Sequence, residues 1–127
     1  MREGPNAEVS YNLGNVLYLL DRKPEAIQRY RQTVEHESDY VEAWNNLGIA
    51  LSDVGRTDDA VSAFGQALSI EPDFADAIYN LAATFETAGR YNEARRTWAE
   101  YLERDPFSSV ADEIRKKLAN SGSEAGD

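Results

Sequence analysis

Residues 41–74 read VEAWNNLGIALSDVGRTDDAVSAFGQALSIEPDF, and this stretch decides the fold. Ala43, Trp44, Leu47, Ala50, Leu51 and Val54 recur at intervals of three and four, the period of one helical face. Gly55 follows, where a residue free to turn left-handed ends a helix. Thr57 or Asp58 is the expected cap of a second helix carrying Ala60, Val61, Phe64, Ala67 and Leu68. Pro72 closes it, since neither proline nor the residue before it continues a helix comfortably. One unit is therefore two helices joined by a tight turn.

Shifting the sequence by 34 residues lays this unit over its neighbours without a gap, as 7–40, 41–74 and 75–108. Asn12, Asn46 and Asn80 share a column, then Leu13, Leu47 and Leu81. A small column holds Gly14, Gly48 and Ala82, and a bulky one Leu17, Leu51 and Phe85. Further on come Ala26, Ala60 and Ala94; Tyr30, Phe64 and Trp98; and Ser38, Pro72 and Pro106. Gly89 repeats the turn glycine of Gly55. Asp21 takes that column in the first unit, and Asp is among the few other residues that tolerate it. Pro24 suits the first turn of its helix, where its missing N–H does no harm. The small columns are expected to face one another within a pair, with the large aromatic column inserted between pairs. No pair can bury both faces alone, so neighbours must stack.

These columns resemble the tetratricopeptide repeat signature across residues 7–108. The first unit departs from it at Ser10, Thr33 and Ser38, as terminal repeats often do. The resemblance implies an all-α, right-handed superhelical solenoid of three helix-turn-helix repeats plus a capping helix, seven helices in all. Residues 109–120 read as that cap: Val110, Ala111, Ile114 and Leu118 on one face, with Asp112, Glu113, Arg115, Lys116 and Lys117 outward. The repeat domain is expected over 7–120, with residues 1–6 loose and the small, polar stretch 121–127 disordered.

Composition removes most other functions. The 127 residues carry 13 basic and 23 acidic side chains, a net charge of −10. Such a surface repels phosphate backbones and anionic lipid, so neither nucleic acid nor membrane is an expected partner of this segment. Cysteine is absent and His36 is the one histidine, which removes thiolate chemistry and multi-histidine metal centres. No cofactor or metal is expected. His36 reads as a solvated residue near a helix C-terminus, and Trp44 and Trp98 read as core. The longest apolar run, Val16 to Leu20, is too short for a bilayer and poorly placed for a leader, so a cytoplasmic setting is expected. Nothing in this inventory supports catalysis.

In the family that these columns resemble, the first helices of each repeat line a concave groove, and extended peptides are the usual cargo. The matching face here carries Glu8, Tyr11, Asn12, Asn15, Tyr18 and Leu19 from the first unit. The second gives Glu42, Asn45, Asn46, Ile49, Ser52 and Asp53, and the third Asp76, Tyr79, Asn80, Ala83, Glu86 and Thr87. No Lys or Arg is among them, so an acidic, amide-lined groove is expected. Asn12, Asn46 and Asn80 form a ladder similar to that of the tetratricopeptide domain of O-linked N-acetylglucosamine transferase. Each amide offers donors and an acceptor to an extended backbone, or equally to a neighbouring helix.

Relatives that grip the acidic C-terminus of heat-shock chaperones place Lys, Asn, Asn, Lys and Arg where this chain has Tyr11, Asn15, Asn46, Asp76 and Asn80. The asparagines fit and every cation is gone, so that cargo is not expected. The resulting expectation is a non-catalytic protein-interaction module for an extended, neutral or basic peptide. The alternatives are a structural scaffold, including self-association through the acidic convex face or the stacking ends, and a regulatory portion of a larger protein. The stretch from Trp98 to Leu118 looks like repeats attached to some bacterial transcription regulators.

Overall fold

The computed structural model describes residues 6–125, with side chains through residue 120. It contains α1 (Ala7–Leu19), α2 (Lys23–His36), α3 (Val41–Asp53), α4 (Thr57–Ile70), α5 (Ala75–Thr87), α6 (Tyr91–Arg104) and α7 (Ala111–Ala125), with no strand among the described residues. The chain forms two compact units, Met1–Pro72 and Asp73–Asp127. In the first, α1 pairs with α2, α3 with α4, and α2 packs on α3; in the second, α5 pairs with α6, and α6 with α7. The helices of successive repeats start 34 residues apart, at 7, 41 and 75 and again at 23, 57 and 91, as the columns require.

Each turn within a repeat is built the same way. Asp21, Gly55 and Gly89 all take positive φ, at 61°, 82° and 79°. The next N–H then reaches back to the helix just ended: Arg22 to Leu17, Arg56 to Leu51 and Arg90 to Phe85, at 2.8–2.9 Å. This satisfies carbonyls that a helix end leaves open. Thr57 and Asp58 do not cap α4, contrary to expectation; the cap position is Arg56, without a side-chain bond. The turn is so short that the arginine following the left-handed residue is already the cap. Its guanidinium instead pairs with an acid three residues on, as Arg22–Glu25, Arg56–Asp59 and Arg90–Glu93. The first two pairs are exposed and the third half-buried, and such pairs contribute little individually.

The small column faces a different neighbour from the one expected. A Cβ on Gly14 would lie 2.7 Å from the Tyr30 ring, and one on Gly48 would lie 2.6 Å from the Phe64 ring. The glycines thus receive the aromatic of their own repeat against bare backbone, rather than only the alanines of the partner helix. Ala26, Ala60, Tyr30 and Phe64 are all buried around this contact. Trp98 is buried as expected. Trp44 is only half-buried and donates its Nε1–H to the Ser38 carbonyl at 2.8 Å, pinning the loop before α3.

Both ends of the chain differ from expectation. Asn6 accepts from the Val9 N–H at 2.8 Å as the N-cap of α1, while residues 1–5 lie outside the described residues. The last helix starts at Ala111 and continues to Ala125, beyond the expected boundary at 120. Ser, Gly and Ser at 121–123 are weak helix formers, but extending an established helix costs only about 0.5–1 kcal/mol per such residue. Residues 126–127 lie outside the described residues. Ala111 and Ile114 are buried and Val110 and Leu118 half-buried, where α7 packs on α6.

Two glycine substitutions should move stability in opposite directions. Gly48→Ala drives a methyl into the Phe64 ring and should cost about 1–3 kcal/mol. Gly65→Ala meets nothing within 4 Å in mid-α4. It should therefore stabilise by about 0.5–1 kcal/mol through backbone entropy. Urea unfolding of both variants measures this; equal shifts of one sign would show that the ring does not rest on Gly48. Ile114→Ala should cost about 2–5 kcal/mol if α7 covers the third repeat, read the same way.

Candidate functional site

The inner-face residues of the first unit converge on an amide network. Tyr30 donates its hydroxyl proton to Asn15 Oδ1 at 2.6 Å, and Asn46 Nδ2 donates to the same oxygen at 3.0 Å. Asn46 Nδ2 also donates to the Tyr11 hydroxyl at 3.2 Å. Both protons of the Asn46 amide thus tie α3 to α1. What remains is one acceptor, Asn46 Oδ1, beside the two Nδ2 donors of Asn15. Around this pair Tyr18, Leu19, Tyr30 and Ile49 complete an open depression of about 370 Å³. Leu19 is 82% exposed on its rim.

A second tie closes the far end of the two helices. Tyr18 donates to Asp53 Oδ2 at 2.5 Å, and Lys23, paired with Asp21, sits 5.3 Å from the centre of the Tyr18 ring. Partial burial, then the Asp53 carboxylate, pushes the Tyr18 pKa up to about 12. Burial, then the neighbouring Tyr11, pushes Tyr30 up to about 12 as well. At the opposite end, Glu8, Glu37, Asp39 and Glu42 surround Tyr11 and Tyr40 in an open depression of about 610 Å³. The two rings stack at 4.9 Å with a 33° tilt. Burial raises the Tyr40 pKa, with Tyr11 and the surrounding carboxylates adding to it.

The second unit carries the remaining expected residues. Tyr79 meets Trp98 and Tyr101 edge-on at 5.0 and 5.8 Å, and Asp76 is exposed while Asn80 is half-buried. Glu86 is paired with Lys117 at 3.1 Å, and that ammonium also lies 5.8 Å from the Trp98 ring centre. Lys117 is therefore not an outward residue of α7, and the third repeat's inner face is not free of cations. The helical wheel of α7 alone gave no sign that a lysine stem would fold back across Trp98.

Of the expected groove residues, Glu8, Tyr11, Asn15, Glu42, Asn46 and Ile49 come together on the first unit's depressions. Asp53 is engaged by Tyr18, and Asn12 stands exposed outside the network. Asn45 is only 7% exposed and is a core residue, not a groove residue. It sits on the shoulder of α3 that packing covers. The asparagine column is thus not a uniform ladder, because Asn46 is held by α1 whereas Asn12 is exposed. Tyr30 was legible only as core; its hydroxyl alone, among Phe and Trp in that column, signalled a reach to Asn15. His36 is exposed in the last turn of α2, and no cluster suited to a metal occurs among the described residues. No helix among them is long and apolar enough to cross a membrane.

Family profiles described as tetratricopeptide repeat match residues 51–118 and 11–53. The chain belongs to the tetratricopeptide repeat family. Among solved structures it is similar to MamA, at 28% identity and TM-score 0.76, covering 80% of this chain and 55% of that one. It is also similar to YrrB, described as having an unusual peptide-binding site, at 27% identity and TM-score 0.82 over 88% of this chain and 58% of that one. The first tetratricopeptide domain of Spaghetti (RPAP3), solved with an HSP90 peptide, superposes with TM-score 0.85 at 18% identity. It covers 98% of this chain and 97% of that one. At that identity the likeness concerns the fold alone. No curated relative matches the sequence. The chain spans a little over half the length of MamA and YrrB.

Alkaline titration tests the two engaged tyrosines. Tyr18 and Tyr30 should ionise near 12. Because the fold favours their neutral forms, the associated stability is present below about 10, the ordinary tyrosine value, and is lost as pH rises through the raised values. Asp53→Asn should lower the Tyr18 midpoint and leave Tyr30 unchanged, followed by phenolate absorbance or by NMR of the ring carbons. An unchanged Tyr18 would remove Asp53 as its partner.

Proposed function

We propose that this chain is a non-catalytic protein-interaction module that holds an extended, neutral or basic peptide on the inner face of α1 and α3. The single observation carrying this reading is the Asn15–Asn46 pair. Its internal bonds leave a donor from Asn15 beside an acceptor from Asn46, which matches the N–H and C=O of one extended residue. The adjoining depression, walled by Leu19, Ile49 and the Tyr18 ring, fits one apolar side chain of that peptide. The network is preformed, so little ordering cost falls on the module at capture. Membership of a family whose members bind peptides, and the peptide-binding site named for YrrB, support the same class.

Charge supports the choice of cargo. Glu8, Glu37, Asp39 and Glu42 border one end of the face, and the positions that hold cations in chaperone-binding relatives are Tyr11, Asp76 and Asn80. An acidic peptide tail would meet like charge there. The Lys117–Glu86 pair makes the third repeat less acidic than composition suggests, so selection by charge belongs mainly to the first unit.

Fluorescence anisotropy with three labelled octapeptide pools, lysine-containing, uncharged and aspartate-containing, tests the proposal at low and moderate salt. The first two should bind and the third should not, with the lysine pool losing affinity as salt rises. Asn15→Ala should weaken binding roughly 5- to 30-fold, the equivalent of about 1–2 kcal/mol for a hydrogen bond lost at a partly buried site. Preference for the aspartate pool, or wild-type affinity in Asn15→Ala, would contradict it.

A further inference from the structure

A second stripe, running along α1 to its C-cap Leu20, has no partner among the described residues. Val9, Leu13, Val16 and Leu20 are 53%, 38%, 51% and 61% exposed. At about 100° per residue they occupy one narrow sector of the helix, beside the stripe that carries Asn12 and Leu19. The repeat columns show what this sector does one unit later. The counterparts of Val9, Leu13 and Val16 are Ala43, Leu47 and Ala50, all buried in an α3 that packs on α2, while Val54, the counterpart of Leu20, is itself 40% exposed. In α1 both alanine columns hold valine. A helix resting on Val9 and Val16 must stand farther off, so this face is not a repeat of the close contact inside the unit. The intervals between its residues, four, three and four, are those of a coiled-coil seam.

The seam also specifies its occupant. Read in reverse, its spacing is unchanged. An antiparallel pair about a two-fold axis sets Leu13 against Val16 and Val9 against Leu20, so every layer holds one leucine and one valine. A parallel pair would alternate Val–Val with Leu–Leu layers of unequal volume. Self-complementarity under a two-fold is what an isologous interface requires. From this palindromic seam we infer that α1 joins two copies of the chain in a reversible antiparallel dimer. The contact is independent of the peptide face. A 13-residue helix offers less area than the roughly 1,200 Å² at the low end of stable interfaces, so the dimer is weak. Each copy carries a net charge of −10, so association is opposed at low salt and favoured by screening.

Light scattering should show the molar mass rising from 14.2 kDa toward twice that value as concentration increases. The rise should fall between about 10 µM and 1 mM, and come earlier in about 0.3 M salt than in about 0.02 M. The double variant Leu13→Glu, Val16→Glu should remain monomeric throughout, with an unchanged circular dichroism spectrum because both side chains are exposed. The chain lacks cysteine, so Leu13→Cys and Val16→Cys can be introduced separately. A mixture of the two should cross-link several-fold faster on oxidation than either alone. A parent that stays monomeric at 1 mM would overturn the inference. So would a dimer that survives both glutamates, or single variants that cross-link as fast as the mixture.

Discussion

The seat of an aromatic ring on bare glycine backbone is the contact on which the first unit depends. With Tyr30 on Gly14 and Phe64 on Gly48, the two helices of a repeat approach closely enough to bury the alanines between them. The same contact orients the rings. Tyr30 is thereby aimed so that its hydroxyl reaches Asn15, and the packing of a core residue fixes an amide on the exposed face. Core and site are consequently one construction in this unit, and a methyl at either glycine would disturb both.

Two physical consequences follow for recognition. The amide pair is held in place because each of its members is bonded to another helix or ring, so on the proposed reading it would offer a peptide backbone a fixed donor and acceptor rather than a mobile one. The charge around it is uneven. Carboxylates cluster around Tyr11 and Tyr40 at one end, whereas Asp53 and Glu86 are engaged by Tyr18 and Lys117. A count of acidic residues along the inner helices overstates the field that a ligand would meet, since neighbours outside those helices neutralise part of it.

The fold was legible in the sequence because the repeat states it three times. Small, large and turn columns at a 34-residue interval locate the helices, and the positive φ of Asp21, Gly55 and Gly89 falls where those columns require it. The site was less legible for reasons that periodicity cannot address. A column places Asn46 on a face but does not say that its protons bond Tyr11 and Asn15 across repeats. Asn45 belongs to the same helical sector by spacing, yet the approach of neighbouring helices buries it. Lys117 lies 31 residues beyond Glu86, so their pairing arises from how α7 docks and not from any local pattern. The valines of α1 were visible as letters, but their exposure became meaningful only beside the buried alanines of α3.

The central claim is that the inner face of α1 and α3 receives the peptide. Amide chemical-shift mapping with the lysine-containing octapeptide pool tests it most directly. Perturbations should concentrate on Tyr11, Asn15, Asn46 and Ile49, including the side-chain amide signals of the two asparagines, while Gln28 and Gln32 on the outer face of α2 stay still. Shifts confined to α2 and α4, with the Asn15 and Asn46 side-chain signals unmoved, would contradict the account.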